Sequence, residues 1–187
     1  MQKNKLIKMK NKFLVLLIVT ITTLVSCGEK KETKTDDSKP VNEFFSVEVE
    51  ALASKSDDFA MYFSEDGTSN FKDINAVWHG IKGGTEEVVP FILTEEKIPT
   101  HIRLDFGLKN QDSVVVKNIK LDYFGNSLQI KGSDFFNYFI KDEQFITKTD
   151  GNKGTLTILS KEGVYKTPYY YPTQLTIDKI KEITTKK

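Results

Sequence analysis

The sequence predicts an all-β domain, an antiparallel β-sandwich with one or two short helices. Three observations carry that expectation. From Phe44 onward the dominant hydrophobic period is two, which places alternate side chains on opposite faces of a strand. Short apolar runs are separated by turn-forming clusters of Gly, Asn, Asp and Ser. Strand-then-helix units of the kind that build a parallel sheet are absent.

The elements follow in order. Phe45, Val47, Val49 and Ala51 alternate with Ser46, Glu48 and Glu50, giving a strand with one buried face. Phe59–Phe63 is a short second strand, closed by the turn Ser64-Glu65-Asp66-Gly67. Ala76-Val77-Trp78 starts a third that ends by Gly80, and Gly83-Gly84 turns the chain. Val88–Leu93 carries Pro90, which marks an edge strand or a bulge. His101–Phe106 alternates cleanly, with Ile102, Leu104 and Phe106 on one face and His101, Arg103 and Asp105 on the other. Val114–Tyr123 is the longest strand, with Val115, Lys117, Ile119, Leu121 and Tyr123 expected on one side. A turn at Gly125-Asn126-Ser127 leads to Leu128–Lys131 as a hairpin partner. Ser133-Asp134 offers an N-cap for a short aromatic helix over Phe135–Ile140. Phe145–Thr147 and Thr155–Ser160 are further strands around the turn Asp150-Gly151-Asn152. Leu175, Ile177, Ile180 and Ile183 mix both periods, which suggests a strand running into a terminal helix.

The first 43 residues read differently. Met1–Lys12 holds five lysines and no acid, Phe13–Val25 is apolar apart from a few threonines, and the small Ser26 precedes Cys27. A charged, then apolar, then small-residue order is that of an export signal. The apolar run is short of the roughly 20 residues that span a bilayer. Gly28–Glu43 mixes charges around a single aliphatic residue, Val41, and cannot bury enough surface to offset its ordering entropy. It reads as a tether, with an r.m.s. reach of roughly 20–25 Å. The chain thus divides into an export signal over residues 1–26, Cys27 with its tether to residue 43, and a β domain over residues 44–187.

Composition narrows the function classes. The export signal takes five of the 27 basic residues and none of the 26 acidic ones, leaving 22 against 26 and a net charge of −4. An acidic balance provides no footprint for nucleic acid and no basic patch for anionic lipid. Cys27 is the only cysteine, so neither an internal disulfide nor a cysteine-built zinc site is available. His79 and His101 are too few and too isolated for zinc. Asp57, Asp58, Asp66 and Asp105 offer oxygen ligands, yet no spaced calcium loop is present, and no metal or other cofactor is expected. A nucleophile elbow and a phosphate loop are also missing, and no carboxylate stands out, so the expectation is a non-catalytic domain.

Leu24-Val25-Ser26-Cys27 resembles the lipobox of bacterial lipoproteins. The resemblance implies cleavage before Cys27, diacylation of its thiol, and attachment to a membrane through the lipid anchor. A lone thiol in an oxidising envelope would be a liability, which lipidation removes. Residue 28 is Gly rather than Asp. By the sorting rules of the lipoproteins it resembles, that implies the outer membrane, on its periplasmic or surface side. The charged tether loosely resembles the surface-export signals of some Gram-negative lipoproteins.

Asp58–Phe63, Val89-Pro90-Phe91-Ile92-Leu93, Ile102-Arg103-Leu104-Asp105-Phe106-Gly107 and Val114–Leu121 together resemble a jelly-roll domain of the galactose-binding, carbohydrate-binding-module type. The resemblance implies a jelly-roll-like sandwich and contact with a glycan, and it carries over no ligand residues.

Three groups of side chains are candidates for a ligand site. Trp78, the only tryptophan, either packs in the core or rim or stacks on a sugar face. Tyr169-Tyr170-Tyr171, bracketed by Pro168 and Pro172, is either a stiffened segment along a sheet edge or a contact surface. In an extended segment Tyr170 faces opposite to its two neighbours. Arg103 and Asp105 share a strand face, as a solvated ion pair or as a polar floor for a ligand. The leading expectation is therefore a lipid-anchored domain binding a glycan or an envelope partner. The alternative is a structural or assembly lipoprotein that makes protein–protein contacts and binds no sugar.

Overall fold

The structure is a computed structural model and describes residues 43–94, 96–142, 147–158 and 163–185. The residues expected to form an export signal and most of a tether, 1–42 with Cys27, lie outside the described residues, as do Phe145, Ile146, Leu159 and Ser160 of the expected strands.

Two antiparallel sheets share one apolar core, as the alternating pattern requires. The first sheet has the order β4-β1-β6-β10-β9, with β7 also paired to β6. Its strands are β1 (Ser46–Ala53), β4 (Glu86–Ile92), β6 (Ser113–Tyr123), β7 (Asn126–Lys131), β9 (Thr147–Asp150) and β10 (Thr155–Ile158). The second sheet has the order β3-β2-β5-β11-β8. It is built from β2 (Asp57–Ser64), β3 (Ala76–Ile81), β5 (His101–Phe106), β8 (Phe139–Lys141) and β11 (Tyr169–Pro172). The inward residues of β1 (Val47, Val49, Ala51) meet those of β2 and β5 (Phe59, Met61, Ile102, Leu104, Phe106), and all are fully buried. Pro90 lies on β4, an edge strand of its sheet, where a missing N–H is tolerated.

Strand β6 departs from the expected phase. Val114 and Val116 point inward, not Val115 and Lys117, while Ile119, Leu121 and Tyr123 are buried as expected. The register explains it: Glu50 pairs with Asn118 and Ala51 with Val116, so Lys117 is an extra residue. A bulge of this kind shifts the side-chain alternation by one. The bulge sits where the far edge of β6 passes from β10, along Ser113–Val115, to β7, along Asn118–Tyr123. Gly132 and Gly154 press on the same place, where a Cβ would come within 1.9 and 2.4 Å of the Val116 carbonyl oxygen.

Three other boundaries move. The β6–β7 turn is Phe124-Gly125, both with positive φ (50° and 79°), the two-residue turn that matches strand twist. The aromatic helix is a single turn, α1 (Phe135–Tyr138), because Phe139 and Ile140 are drawn into β8. Asp134 makes no side-chain cap bond there. At the C-terminus the helix α2 (Gln174–Thr185) takes the whole mixed segment. Its buried residues Thr176, Ile180 and Ile183 follow helical spacing, while Leu175 is left exposed. The strand expected there is instead the tyrosine run itself.

Candidate functional site

The outer face of the second sheet carries five of the six sequence-derived candidates for ligand contact. Strand β5 turns Ile102, Leu104 and Phe106 into the core, so Arg103 and Asp105 must face outward. Cross-strand register then fixes their neighbours. One row runs Trp78–Ala60–Asp105–Tyr169 over β3, β2, β5 and β11. Beside it, Tyr62 pairs with Ala76 on one side and Arg103 on the other, and Tyr171 pairs with Ile140 of β8.

Arg103 organises this face. Its Nε and Nη2 each donate to a different Asp105 carboxylate oxygen, both at 2.8 Å. Its guanidinium lies 4.0 Å from the Tyr62 ring centroid and 4.3 Å from that of Tyr169. Phe71 and Tyr171 stand further off, at 5.6 and 5.9 Å. An arginine stacked between aromatic faces while holding a carboxylate uses the planar fork that lysine lacks. This pair is not the solvated ion pair of an ordinary sheet surface. The Asp105 side chain is 1 % exposed and that of Arg103 13 %.

Burial pushes the Asp105 carboxyl up to about 6, against the opposing pull of the Arg103 hydrogen bonds and charge. For Arg103, burial works against the charge, but the Asp105 carboxylate outweighs it and holds the guanidinium above its usual value. Tyr62 and Tyr169 are also raised, first by burial and then by the Asp105 charge, so both phenols stay protonated at neutral pH.

One end of the face is walled by the segment between β2 and β3. The Asp66 carboxylate accepts from the Thr68 backbone N–H and hydroxyl at 3.0 and 2.8 Å, and the Ser64 hydroxyl donates to the Thr68 carbonyl. This turn leads on to Phe71, whose ring lies 5.9 Å from that of Tyr171. On the edge strand β3, Trp78 is 53 % exposed and meets Tyr62 edge-on at 6.1 Å. The lone tryptophan is thus a rim residue and not part of the core. Among the described residues, no group of three or more His, Cys, Asp or Glu side chains is placed to hold a metal ion.

Tyr170 is the exception, and its place as a ligand contact is corrected. It is fully buried, with its ring 5.7 Å from Phe106 and 5.2 Å from Phe135. Strand alternation, which keeps Tyr169 and Tyr171 outward, forces the middle tyrosine inward. Its phenol, raised to about 12 by burial, reaches the Thr147 hydroxyl at 3.5 Å. Nor is the run a loop along a sheet edge: β11 lies between β5 and β8.

Sequence reasoning missed Tyr62, Phe71 and Ile140. Tyr62 could have been found, since Phe59, Met61 and Phe63 occupy the inward phase and leave Asp58, Ala60 and Tyr62 outward. Phe71 sits in an irregular segment, where no periodicity points to it. The face offers flat rings, protonated phenols and an internally neutralised ion pair. That chemistry suits stacking and hydrogen bonding to a ligand with both apolar faces and hydroxyl edges. No family model matches the chain, and no curated protein or solved structure matches it.

Proposed function

We propose that the chain is a lipid-anchored, non-catalytic envelope domain that binds a glycan on the outer face of its second sheet. The observation that carries the reading is the exposed Trp78 on the same face as Tyr62, Tyr169 and Tyr171, grouped around Arg103. A sugar ring offers apolar C–H groups on its face and hydroxyls on its edge. Rings held by packing and by a buried ion pair lose little entropy on meeting it. Cys27, with the lipobox-like residues before it, supports the anchor, and Gly28 supports the outer membrane, on its periplasmic or surface side.

A glycan array probed with the chain from residue 27, with Cys27→Ser to keep it free of lipid, tests this. A bound glycan class whose signal falls with Trp78→Ala supports the reading. A folded protein that captures no glycan refutes it.

One observation favours a second reading, an assembly contact with another envelope protein. Ile140, at the β8 margin of the same face, is 58 % exposed and adds apolar area to it. Loss of an envelope partner on Trp78→Ala, with no sugar bound, would decide for it.

A further inference from the structure

Resting on the glycan reading above, we propose that the ligand is an uncharged linear oligosaccharide lying across the strands, from Trp78 to Ile140, and not a single terminal sugar or an acidic one. The register gives the direction. Outward rings or apolar side chains stand on β3 (Trp78), β2 (Tyr62), β11 (Tyr169, Tyr171) and β8 (Ile140), with the polar pair on β5 between them. Those five strands make four spacings, which at about 4.8 Å each is roughly 19 Å. That length exceeds one sugar ring several times over. The margins are open, since Trp78 and Ile140 are 53 % and 58 % exposed. Along the strands the way is closed at one end, where Ser64 and Thr100 tie down the segment after β2 and His101 is 9 % exposed.

Charge complementarity sets the ligand class. Both Nε and Nη2 of Arg103 are taken up by Asp105, and tyrosine rings stand by its guanidinium on two neighbouring strands. Further along the same face, Lys109 and Asp58 pair at 2.6 Å. These charges cancel within the face, so a uronate carboxylate would have to give up its hydration without meeting an uncompensated cation. Hydroxyl edges carry no such cost, and the protonated phenols can donate to them or accept from them.

The test is titration calorimetry on the chain from residue 27 with Cys27→Ser. The probes are neutral gluco-, manno- and xylo-oligosaccharides from monosaccharide to hexasaccharide, with oligogalacturonates of matching length. Within the neutral series that binds, affinity should climb with length by about tenfold or more and then level off, each added ring meeting one more contact side chain. Trp78→Ala and Ile140→Ala, at exposed margins, should each weaken the longest oligosaccharide by about tenfold and so shrink its advantage over the shortest that binds. A monosaccharide that binds as tightly as the hexasaccharide overturns the linear ligand. Tighter binding of oligogalacturonate than of the neutral chains overturns the uncharged one. If no sugar of either series binds to folded protein, glycan binding itself falls, which is a different failure.

Discussion

Replacing the middle residue of Tyr169-Tyr170-Tyr171 tests the packing of the domain more sharply than any other single change. Three identical side chains occupy consecutive positions, so differences between them report only where the strand places each. Tyr170 has no exposed surface and its ring touches the aromatic group formed by Phe106, Phe135 and Phe136. Truncating a buried aromatic to alanine removes its transfer energy and leaves a cavity, at a cost of about 3–5 kcal/mol. For a domain of this size each kcal/mol lowers the melting temperature by about 3 °C, so Tyr170→Ala should melt roughly 10–15 °C below the wild type. Tyr170→Phe keeps the ring and gives up only the long 3.5 Å hydrogen bond to Thr147, so it should stay close to the wild type. Tyr169→Ala loses a partly exposed ring and its contact with the Arg103 guanidinium, worth about 0.5–2 kcal/mol. Thermal melts followed by circular dichroism on the three variants give the order directly. A Tyr170→Ala protein as stable as the wild type, or less affected than Tyr169→Ala, would refute the inward placement of this residue.

The inward and outward faces of the sandwich were legible because strands are read with a period of two. Phe45 to Ala51 and Ile102 to Phe106 alternate without interruption, and both are buried as their pattern requires. The same rule placed Arg103 and Asp105 on one face and separated Tyr170 from its neighbours. The pattern fails where something outside the strand intervenes. Lys117 belongs to a bulge created by pairing with β1, so half of β6 carries the opposite phase to the one its own residues suggest. Phe139 and Ile140 suit a helix locally but are claimed by the free edge of β11. The candidate site was half legible for a related reason. Its members lie on five strands of which only β2 and β3 follow one another in the chain, so each residue shows a phase but not a strand order. Trp78 and Arg103 meet through Tyr62, a residue of a third strand that nothing singled out in advance. The depth of burial of Asp105 was also hidden, because a carboxylate two residues from an arginine reads as an ordinary surface pair until the tyrosines beside it are in place.

Other outcomes follow from the same structure. Trp78→Ala should leave the melting temperature within a few degrees of the wild type while weakening long-oligosaccharide binding by about tenfold, since about half of the residue already faces water; a large loss of stability would return the residue to the core. Gly132→Ala should destabilise by several kcal/mol, because its Cβ would collide with the Val116 carbonyl at 1.9 Å, a backbone atom that cannot swing aside; urea denaturation measures it, and a neutral result would refute that close approach. Cys27→Ala should abolish labelling by an alkyne fatty acid in cells, and equal label on both proteins would remove the lipid anchor. The Arg103–Asp105 pair makes the last prediction, on pH. Burial raises the folded-state Asp105 carboxyl to about 6, above the ordinary value it has in the unfolded chain. The folded state therefore holds this proton more tightly than the unfolded state does. Stability from this group is fully present below the ordinary carboxylate range and is lost as the pH rises through about 6. Asp105→Asn keeps a hydrogen-bonding oxygen for Arg103 but cannot titrate. The stability of the wild type relative to Asp105→Asn should accordingly fall between about pH 4 and 7 and be flat above that range. Denaturation of both proteins across that interval measures the difference. A difference that rises with pH would mean that attraction to Arg103 outweighs burial at Asp105, and a constant one would mean that the carboxyl does not titrate there at all.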